Sequence, residues 1–274
     1  MKFQLKALAA AAILAASIPA QAAIDSTASG NGSMFLTLLD TVSSVSAAFD
    51  LGKNYSDFNM VASTGFAVSN VTASGTTFSW DLAGNADYSA AWSQFFTASA
   101  SDANVRYAIT AGDNNGNGGT AAGSRGYITT FAGAGTSTTT NQLITAVGNF
   151  DTYTQNAAFS QPTVTTNMLT VANGGSFQTP ATTFYLGNKN NNTGPLATGA
   201  LGANLGVIQS VVGSSALSSV SNTIFGNGAS FNLASNGALL YSTSAIAPIP
   251  EADTWAMMLL GLGFMGFVAR RKQA

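Results

Sequence analysis

The sequence contains neither cysteine nor histidine among its 274 residues. Without cysteine the protein has no disulfide bond and no thiol nucleophile. The usual zinc and copper sites need imidazole or thiolate ligands, so a metal bound here would be a hard cation held by oxygen atoms. Catalysis by a Ser-His or Cys-His pair is excluded for the same reason.

Charged residues are scarce as well, at 7% of the chain. Residues 23–247 contain nine aspartates, no glutamate and four cations, which gives this segment a net charge of −5. The cations are Lys53, Arg106, Arg125 and Lys189. Such scattered cations form no basic patch, which disfavours nucleic-acid binding. Two aspartates could serve a glycoside hydrolase, but their spacing indicates no pair, so we expect no enzymatic activity.

The N-terminal residues 1–22 have the pattern of a secretory signal peptide. Two lysines precede a short apolar run at 7–17, and the small-residue triplet Ala20-Gln21-Ala22 follows. A basic start, an apolar centre and a small-residue cleavage site are the features that signal peptidase requires. We expect the mature chain to begin at Ala23, with Ile24 as the alternative.

Residues 23–247 form the predicted body domain, and their pattern is typical of a mainly β fold. Two apolar-rich runs at 33–40 and 44–52, with a short connection, predict two strands that form a hairpin. Alternating apolar and polar residues predict further strands at 77–83, 105–113 and 125–133. Asn236-Gly237 lies between two such runs within 229–243, which predicts a hairpin. We expect an antiparallel β domain, with a sandwich as the suggested architecture. Hairpins at both ends of this domain would bring its termini together.

Two or three accessory helices are expected beside the strands. The first has Asp87 as its predicted N-cap, and the third would contain Leu201, Leu205, Ile208 and Val212. The second begins at Thr140 and contains Leu143, Ile144, Val147 and Phe150. Aromatic residues form a stripe on the first helix at Tyr88, Trp92, Phe95 and Phe96. This stripe could be a sugar-binding platform, but burial in the core is the favoured interpretation.

A glycine- and asparagine-rich loop at 112–119 resembles the first half of a calcium-binding loop. Asp113, Asn115 and Asn117 would offer oxygen ligands at alternating positions. The twelfth position is Ser124, where a calcium loop has a bidentate glutamate. The loop is therefore a weak candidate metal site, and we favour a plain connection between two strands.

The C-terminal residues predict a short transmembrane helix. Trp255 to Ala269 carry no charge, and Arg270, Arg271 and Lys272 follow directly. As a helix these residues would span about 22 Å, against about 30 Å for the hydrocarbon core, so they can just cross a bilayer. The basic end would stay in the cytoplasm. Prolines beside Glu251 would hold the preceding segment extended, where a membrane-embedded enzyme could grip it.

This order of elements resembles the PEP-CTERM sorting signal, which has a Pro-Glu-Pro box, a short transmembrane helix and an arginine-rich end. Pro250 and Glu251 match the box, although Ala252 replaces its second proline. The helix and the basic end match residues 255–269 and 270–272. The resemblance implies a bacterium that makes exopolysaccharide, recognition by an exosortase, removal of the tail and delivery to the cell surface or matrix.

The chain thus divides into a signal peptide (1–22), a secreted body (23–247) and a sorting tail (248–274). Its expected partners are signal peptidase, an exosortase, the inner membrane in passing, and exopolysaccharide, and no cofactor is expected. We expect an inner-membrane intermediate with a periplasmic body, and then a non-enzymatic surface or matrix protein of the biofilm. The alternative is a carbohydrate-binding module on the exopolysaccharide, and a glycan hydrolase is the least favoured. Exposed tryptophan or tyrosine beside aspartate and asparagine would favour the module.

Overall fold

The structure is a computed structural model that describes residues 30–62, 65–114, 125–133, 143, 145–148, 174–180, 199–212 and 220–243. The strands in these residues are β1 Ser33–Asp40, β2 Val45–Asn54, β3 Thr77–Asp81, β4 Arg106–Asp113, β5 Gly126–Phe131, β6 Gly175–Gln178, β7 Gly199–Ala200, β8 Asn204–Val211, β9 Ser221–Ile224, β10 Ser230–Leu233 and β11 Ala238–Ser242. The helices are α1 Ala86–Ala98 and two 3-10 helices, Tyr55–Phe58 and Asp102–Asn104. Residues 143 and 145–148 are also helical.

All described strands belong to one antiparallel sheet, in the order β3-β11-β10-β8-β5-β4-β1-β2-β6. β7 pairs with β4, and β9 pairs with β8 beside β10. The mainly antiparallel β class is therefore confirmed. A sandwich requires two separate sheets, but the described strands form one. β8 connects the two halves, because it pairs with β5 on one edge and with β9 and β10 on the other.

The main hydrophobic core lies on one face of this sheet. Leu36 of β1 pairs with Phe49 of β2 and Ile109 of β4, and these side chains share that face. The aromatic stripe of α1 packs onto the same face, where the Phe49 ring lies 6.1 Å from Tyr88 and 6.3 Å from Trp92. Every residue of β1 is buried, so the opposite face of the central strands is covered as well.

The sheet curls until its edge strand β3 approaches the C-terminal half of β2. The indole N–H of Trp80 donates to the backbone oxygen of Leu51 at 2.8 Å. The Lys53 ammonium lies 5.1 Å from the centre of the Phe78 ring, a cation–π contact. β6 pairs with β2 only at residues 46–49, so these contacts use the part of β2 beyond that pairing.

The strands of the sheet end at two opposite rims. The terminal rim is the one where β1 and β3 begin and β2, β4, β8 and β11 end. Gly30 and Thr243, the first and last described residues, both lie there. The distal rim is the opposite one, with the β1–β2 and β10–β11 turns. The first and last described residues therefore share a rim, although β1 and β11 are not neighbours in the sheet. The ends of the predicted domain, 23–29 and 244–247, lie outside the described residues.

Most of the predicted elements are present, but the prediction of the third helix is wrong. The strand predictions at 33–40, 44–52, 77–83, 105–113 and 125–133 and the 229–243 hairpin are confirmed. Where a helix was expected, residues 204–211 form β8. Both faces of β8 are buried in its second half, so apolar residues recur on both sides and imitate helical spacing. The second helix lies partly outside the described residues.

The N-cap of the first helix lies two residues before the predicted one. Asn85 is the N-cap, and its side-chain oxygen accepts a hydrogen bond from the backbone N–H of Asp87 at 2.9 Å. Asp87 instead lies in the first turn, where a carboxylate interacts favourably with the helix dipole. No helix within the described ranges is long and apolar enough to cross a membrane. The predicted transmembrane helix lies outside those ranges.

Candidate functional site

The chain reaches the predicted sorting tail from β11, which lies inside the sheet between β3 and β10. Tyr241 of β11 pairs with Phe231 on one side and Phe78 on the other. Its side chain is fully buried, and its hydroxyl donates to the backbone oxygen of Val71 at 2.8 Å. The last strand before the tail is therefore integral to the folded body.

Thr243 fastens the end of β11 to the chain that precedes β3. Its backbone N–H donates to the oxygen of Thr76 at 3.1 Å, and its hydroxyl accepts from the Thr76 N–H at 3.1 Å. The same hydroxyl donates to the oxygen of Ala73 at 2.9 Å. Residues 244–247 alone separate this attachment from Pro248, where the predicted tail begins.

The described residues between the first 3-10 helix and β3, 59–62 and 65–76, run along the terminal rim and are called here the cap segment. Asn59 is fully buried and organises the first part of the segment. Its amide nitrogen donates to the backbone oxygens of Val61 at 3.0 Å and Ala67 at 3.1 Å. A side chain that satisfies several buried carbonyl groups keeps this irregular backbone in one conformation.

A buried cluster of polar side chains joins the cap segment to β8. The side-chain oxygen of Gln209 accepts from the backbone N–H of Met60 at 2.7 Å. Its amide nitrogen donates to Asn59 Oδ1 at 2.8 Å and to the Tyr55 hydroxyl. Burial raises the pKa of Tyr55, the Gln209 hydrogen bond opposes this, and the Asp113 carboxylate adds to it. Tyr55 is therefore a neutral phenol that helps to fix the rim.

The candidate metal loop begins at this cluster. Asp113 ends β4 opposite Gly126 of β5, and its side chain is fully buried near Tyr55. Gly126 is required at its position because a Cβ atom there would overlap the Tyr55 hydroxyl. Asn115 and Asn117, the other two candidate ligands, lie outside the described residues. Within the part of the chain that the structure describes, no three carboxylates come together as a metal site.

Several body carboxylates accept hydrogen bonds from nearby backbone N–H groups. Asp50, Asp57 and Asp81 accept from Gly52, Asn54 and Gly84 at 2.8, 2.9 and 2.8 Å, respectively. These are local turn contacts, in which a short acidic side chain replaces a backbone acceptor. Such contacts give these aspartates structural roles.

Asp40 holds the β1–β2 turn at the distal rim. Its Oδ1 accepts from the backbone N–H of Val42 at 2.8 Å and Ser43 at 3.0 Å. Its Oδ2 accepts from the Ser99 hydroxyl at 2.7 Å, which joins the turn to the end of α1. Burial acts to raise the pKa of Asp40, but these hydrogen bonds to the ionised form outweigh it and lower the pKa.

The aromatic side chains of the described residues are buried or half-buried, and none of them is fully exposed. Tyr88 is buried and donates to the backbone oxygen of Asp50 at 2.7 Å, and burial raises its pKa to about 12. Trp92 and Phe95 are buried beside it. The exposed large apolar side chains in the described ranges are Val42, Val68 and Ile224, none of them aromatic. The α1 stripe is therefore part of the core and not a sugar-binding platform.

The C-terminal residues supply the decisive comparison. Residues 248–272 match the family model of the PEP-CTERM protein-sorting motif. The chain carries a PEP-CTERM sorting motif. The match includes the predicted sorting residues Pro250, Glu251, Trp255, Arg270, Arg271 and Lys272. No curated protein and no solved structure matches the chain.

The PEP-CTERM motif marks an exported protein that is a target of an exosortase. It indicates sorting at the membrane followed by a surface location. The motif residues themselves lie outside the described part of the chain. Sequence reasoning found the tail but missed the residues that fasten the body to it, Thr243 and Thr76, and the Gln209 cluster. In the sequence these residues are isolated polar residues within apolar runs. That pattern does not show which distant residues they bind.

Proposed function

We propose that the protein is a non-enzymatic structural component of the cell surface or extracellular matrix, delivered there by its PEP-CTERM tail. The observation that carries this proposal is that every aromatic side chain in the described body is buried or half-buried. Carbohydrate-binding sites need aromatic faces that a sugar can stack on, and the exposed large apolar residues described are aliphatic. Four of the body carboxylates accept hydrogen bonds from backbone N–H groups in local turns, which supports a structural body over a hydrolase. They are Asp40, Asp50, Asp57 and Asp81.

The delivery route has three steps in this proposal. Signal peptidase removes residues 1–22, and the tail from 255 to 269 then holds the periplasmic body at the inner membrane. An exosortase recognises Pro250 and Glu251 and removes the tail. The body passes to the surface, where it associates with exopolysaccharide. The mature chain would begin at Ala23 or Ile24, which N-terminal sequencing of the exported protein checks.

Replacing Glu251 by Ala tests the sorting step. The substitution leaves the apolar span and its basic end intact, so membrane insertion should persist while processing is lost. The uncleaved protein should then accumulate in the inner membrane, as found by fractionation and mass spectrometry of the C-terminus. Asp253→Ala is the matched control, since it removes a neighbouring carboxylate outside the Pro-Glu pair.

Strains with and without the exosortase complete the sorting test. If the wild-type protein keeps residues 255–274 in both strains, the tail is a permanent anchor and the sorting proposal is wrong. Co-sedimentation of the purified body with exopolysaccharide tests the matrix association separately. Saturable binding that a free oligosaccharide displaces would favour the alternative of a carbohydrate-binding module.

A further inference from the structure

The cap segment differs in charge from the opposite rim of the body. Residues 59–80, which contain it, include no charged side chain. The distal end of the molecule carries exposed charges at Asp81, Asp102 and Arg106. Four charged residues of the described chain lie at this rim beside the cap segment. Lys53 lies over the Phe78 ring, and Asp57 accepts the Asn54 N–H. Asp113 is buried at the end of β4, and Arg125 is half-buried directly before β5.

The cap segment also exposes apolar surface. Val68 is 50% exposed, and Met60, Val61 and Phe66 are half-buried around the segment. The polar residues in the sequence of the segment are serine, threonine and asparagine, and placing them at a membrane interface costs less free energy than placing a charged group there. A surface of this composition fits the headgroup region of a bilayer better than the charged distal rim does.

The tail attaches to the body at this same surface. Hydrogen bonds fix Thr243 to Ala73 and Thr76 of the cap segment. Twelve residues lead from Thr243 to Trp255, the first residue of the predicted span. Fully extended, they reach at most about 43 Å, since each residue spans no more than about 3.6 Å. The attachment point on the cap segment therefore stays within that distance of the membrane for as long as the tail is uncleaved.

We propose that, before processing, the cap segment lies against the outer leaflet of the membrane that holds the tail, so that the body stands on its terminal rim. This inference rests on the proposed function. Contact through uncharged apolar residues removes Val68 from water, and it turns the exposed charges of the distal rim away from the lipid. The Pro250-Glu251 pair would then be confined to the narrow layer between body and bilayer, where a membrane-embedded enzyme acts.

The absence of cysteine makes a direct test possible, because a single introduced cysteine can be labelled specifically. Val68→Cys and Val42→Cys are a matched pair of exposed valines, 50% and 72% exposed, on the cap segment and in the distal β1–β2 turn. Each full-length variant, with an environment-sensitive fluorophore attached, is reconstituted without exosortase. The vesicles contain phosphatidylethanolamine, phosphatidylglycerol and a lipid carrying a headgroup quencher.

We expect the label at position 68 to lose most of its emission and the label at position 42 to lose almost none. A Phe66→Asp substitution in the labelled Val68→Cys chain should restore the emission, because it places a charge in the contact. Equal quenching of the two labels would overturn the proposed orientation. Quenching at position 68 that needs added exosortase would also overturn it, and would assign the cap segment to the enzyme.

Flotation of the same vesicles separates this inference from the proposed function. Protein that floats with the lipid has inserted its tail, so equal quenching in floated vesicles contradicts the orientation alone. Protein that fails to float contradicts tail insertion, and the orientation is overturned with it. A chain ending at Thr243 is the control for intrinsic lipid affinity, and we expect its position 68 label to keep its emission.

Discussion

Alkaline pH should unfold the body cooperatively, because its described tyrosines are buried as neutral phenols. These are Tyr55, Tyr88, Tyr107, Tyr127 and Tyr241, and burial raises the pKa of each above its ordinary value of 10. In the unfolded chain they would ionise near pH 10. Above that pH the unfolded state binds fewer protons than the folded state, so the free energy of unfolding falls as the pH rises.

The size of the effect follows from the number of buried phenols. Each tyrosine that stays protonated only in the folded state lowers the stability by about 1.4 kcal/mol per pH unit. Five such residues give about 7 kcal/mol per pH unit, and this slope declines toward pH 12, where Tyr88 is half ionised in the folded state. Domains of this size have a stability of roughly 5–15 kcal/mol, so the body should unfold between about pH 11 and pH 12.

Tyrosinate absorbance and circular dichroism, followed over the same pH steps, measure this transition. We expect both signals to change together and steeply. Tyr88→Phe is the internal control, since it removes one of the five phenols and should lower the pH slope by about one fifth. Phe substitutions at Tyr153 and Tyr185, which lie outside the described residues, correct the absorbance for their share.

A gradual rise in absorbance centred near pH 10, with unchanged circular dichroism, would refute the reasoning. That result would mean that the phenols reach solvent in the folded state.

Three further predictions concern individual contacts. Gln209→Leu leaves the polar groups around it without their buried partner, so it should lower the free energy of unfolding in urea by about 3 kcal/mol. The control, Gln94→Leu on the exposed side of α1, should change it by no more than about 0.5 kcal/mol. Equal effects of the two substitutions would contradict the structural role of the Gln209 cluster. Gly126→Ala should lower the free energy of unfolding by about 1–3 kcal/mol, because the new methyl group overlaps the Tyr55 hydroxyl. Adding Tyr55→Phe should recover part of that loss. Strictly additive losses would show that position 126 and the Tyr55 hydroxyl are not in contact. Asp40, whose pKa is lowered, stabilises the fold above its ordinary value of 3.8, and this contribution is lost as the pH falls through the lower folded pKa. In acid titrations Asp40→Asn should remove that part of the pH dependence, and an unchanged profile would contradict it.

Local pattern was sufficient to predict most of the strands and the tail. Two apolar-rich runs within residues 33–52 flank a short turn. Asn236-Gly237 supplies the positive φ that a tight turn needs, observed as +89° at Gly237. The PEP-CTERM tail was recognisable for a similar reason. Its extended proline segment, apolar run and basic end act through composition and order along the chain, and partition into a bilayer depends on those properties alone.

Tertiary structure decided what depends on residues far apart in the chain. A helix was predicted across residues 204–211, which form β8. A strand that is buried on both faces does not show the alternation of apolar and polar residues by which a strand is recognised. The burial of β8 follows from its neighbours in the sheet, which the local sequence does not reveal. The contacts of Gln209 with Tyr55 and Asn59 join residues about 150 positions apart, as do those of Thr243 with Thr76 across 167. Hydrogen-bond partners at such separations follow from strand order and sheet curvature, which side-chain periodicity does not encode. The sequence therefore determined where the chain is sent, and the fold decided which surface carries the tail.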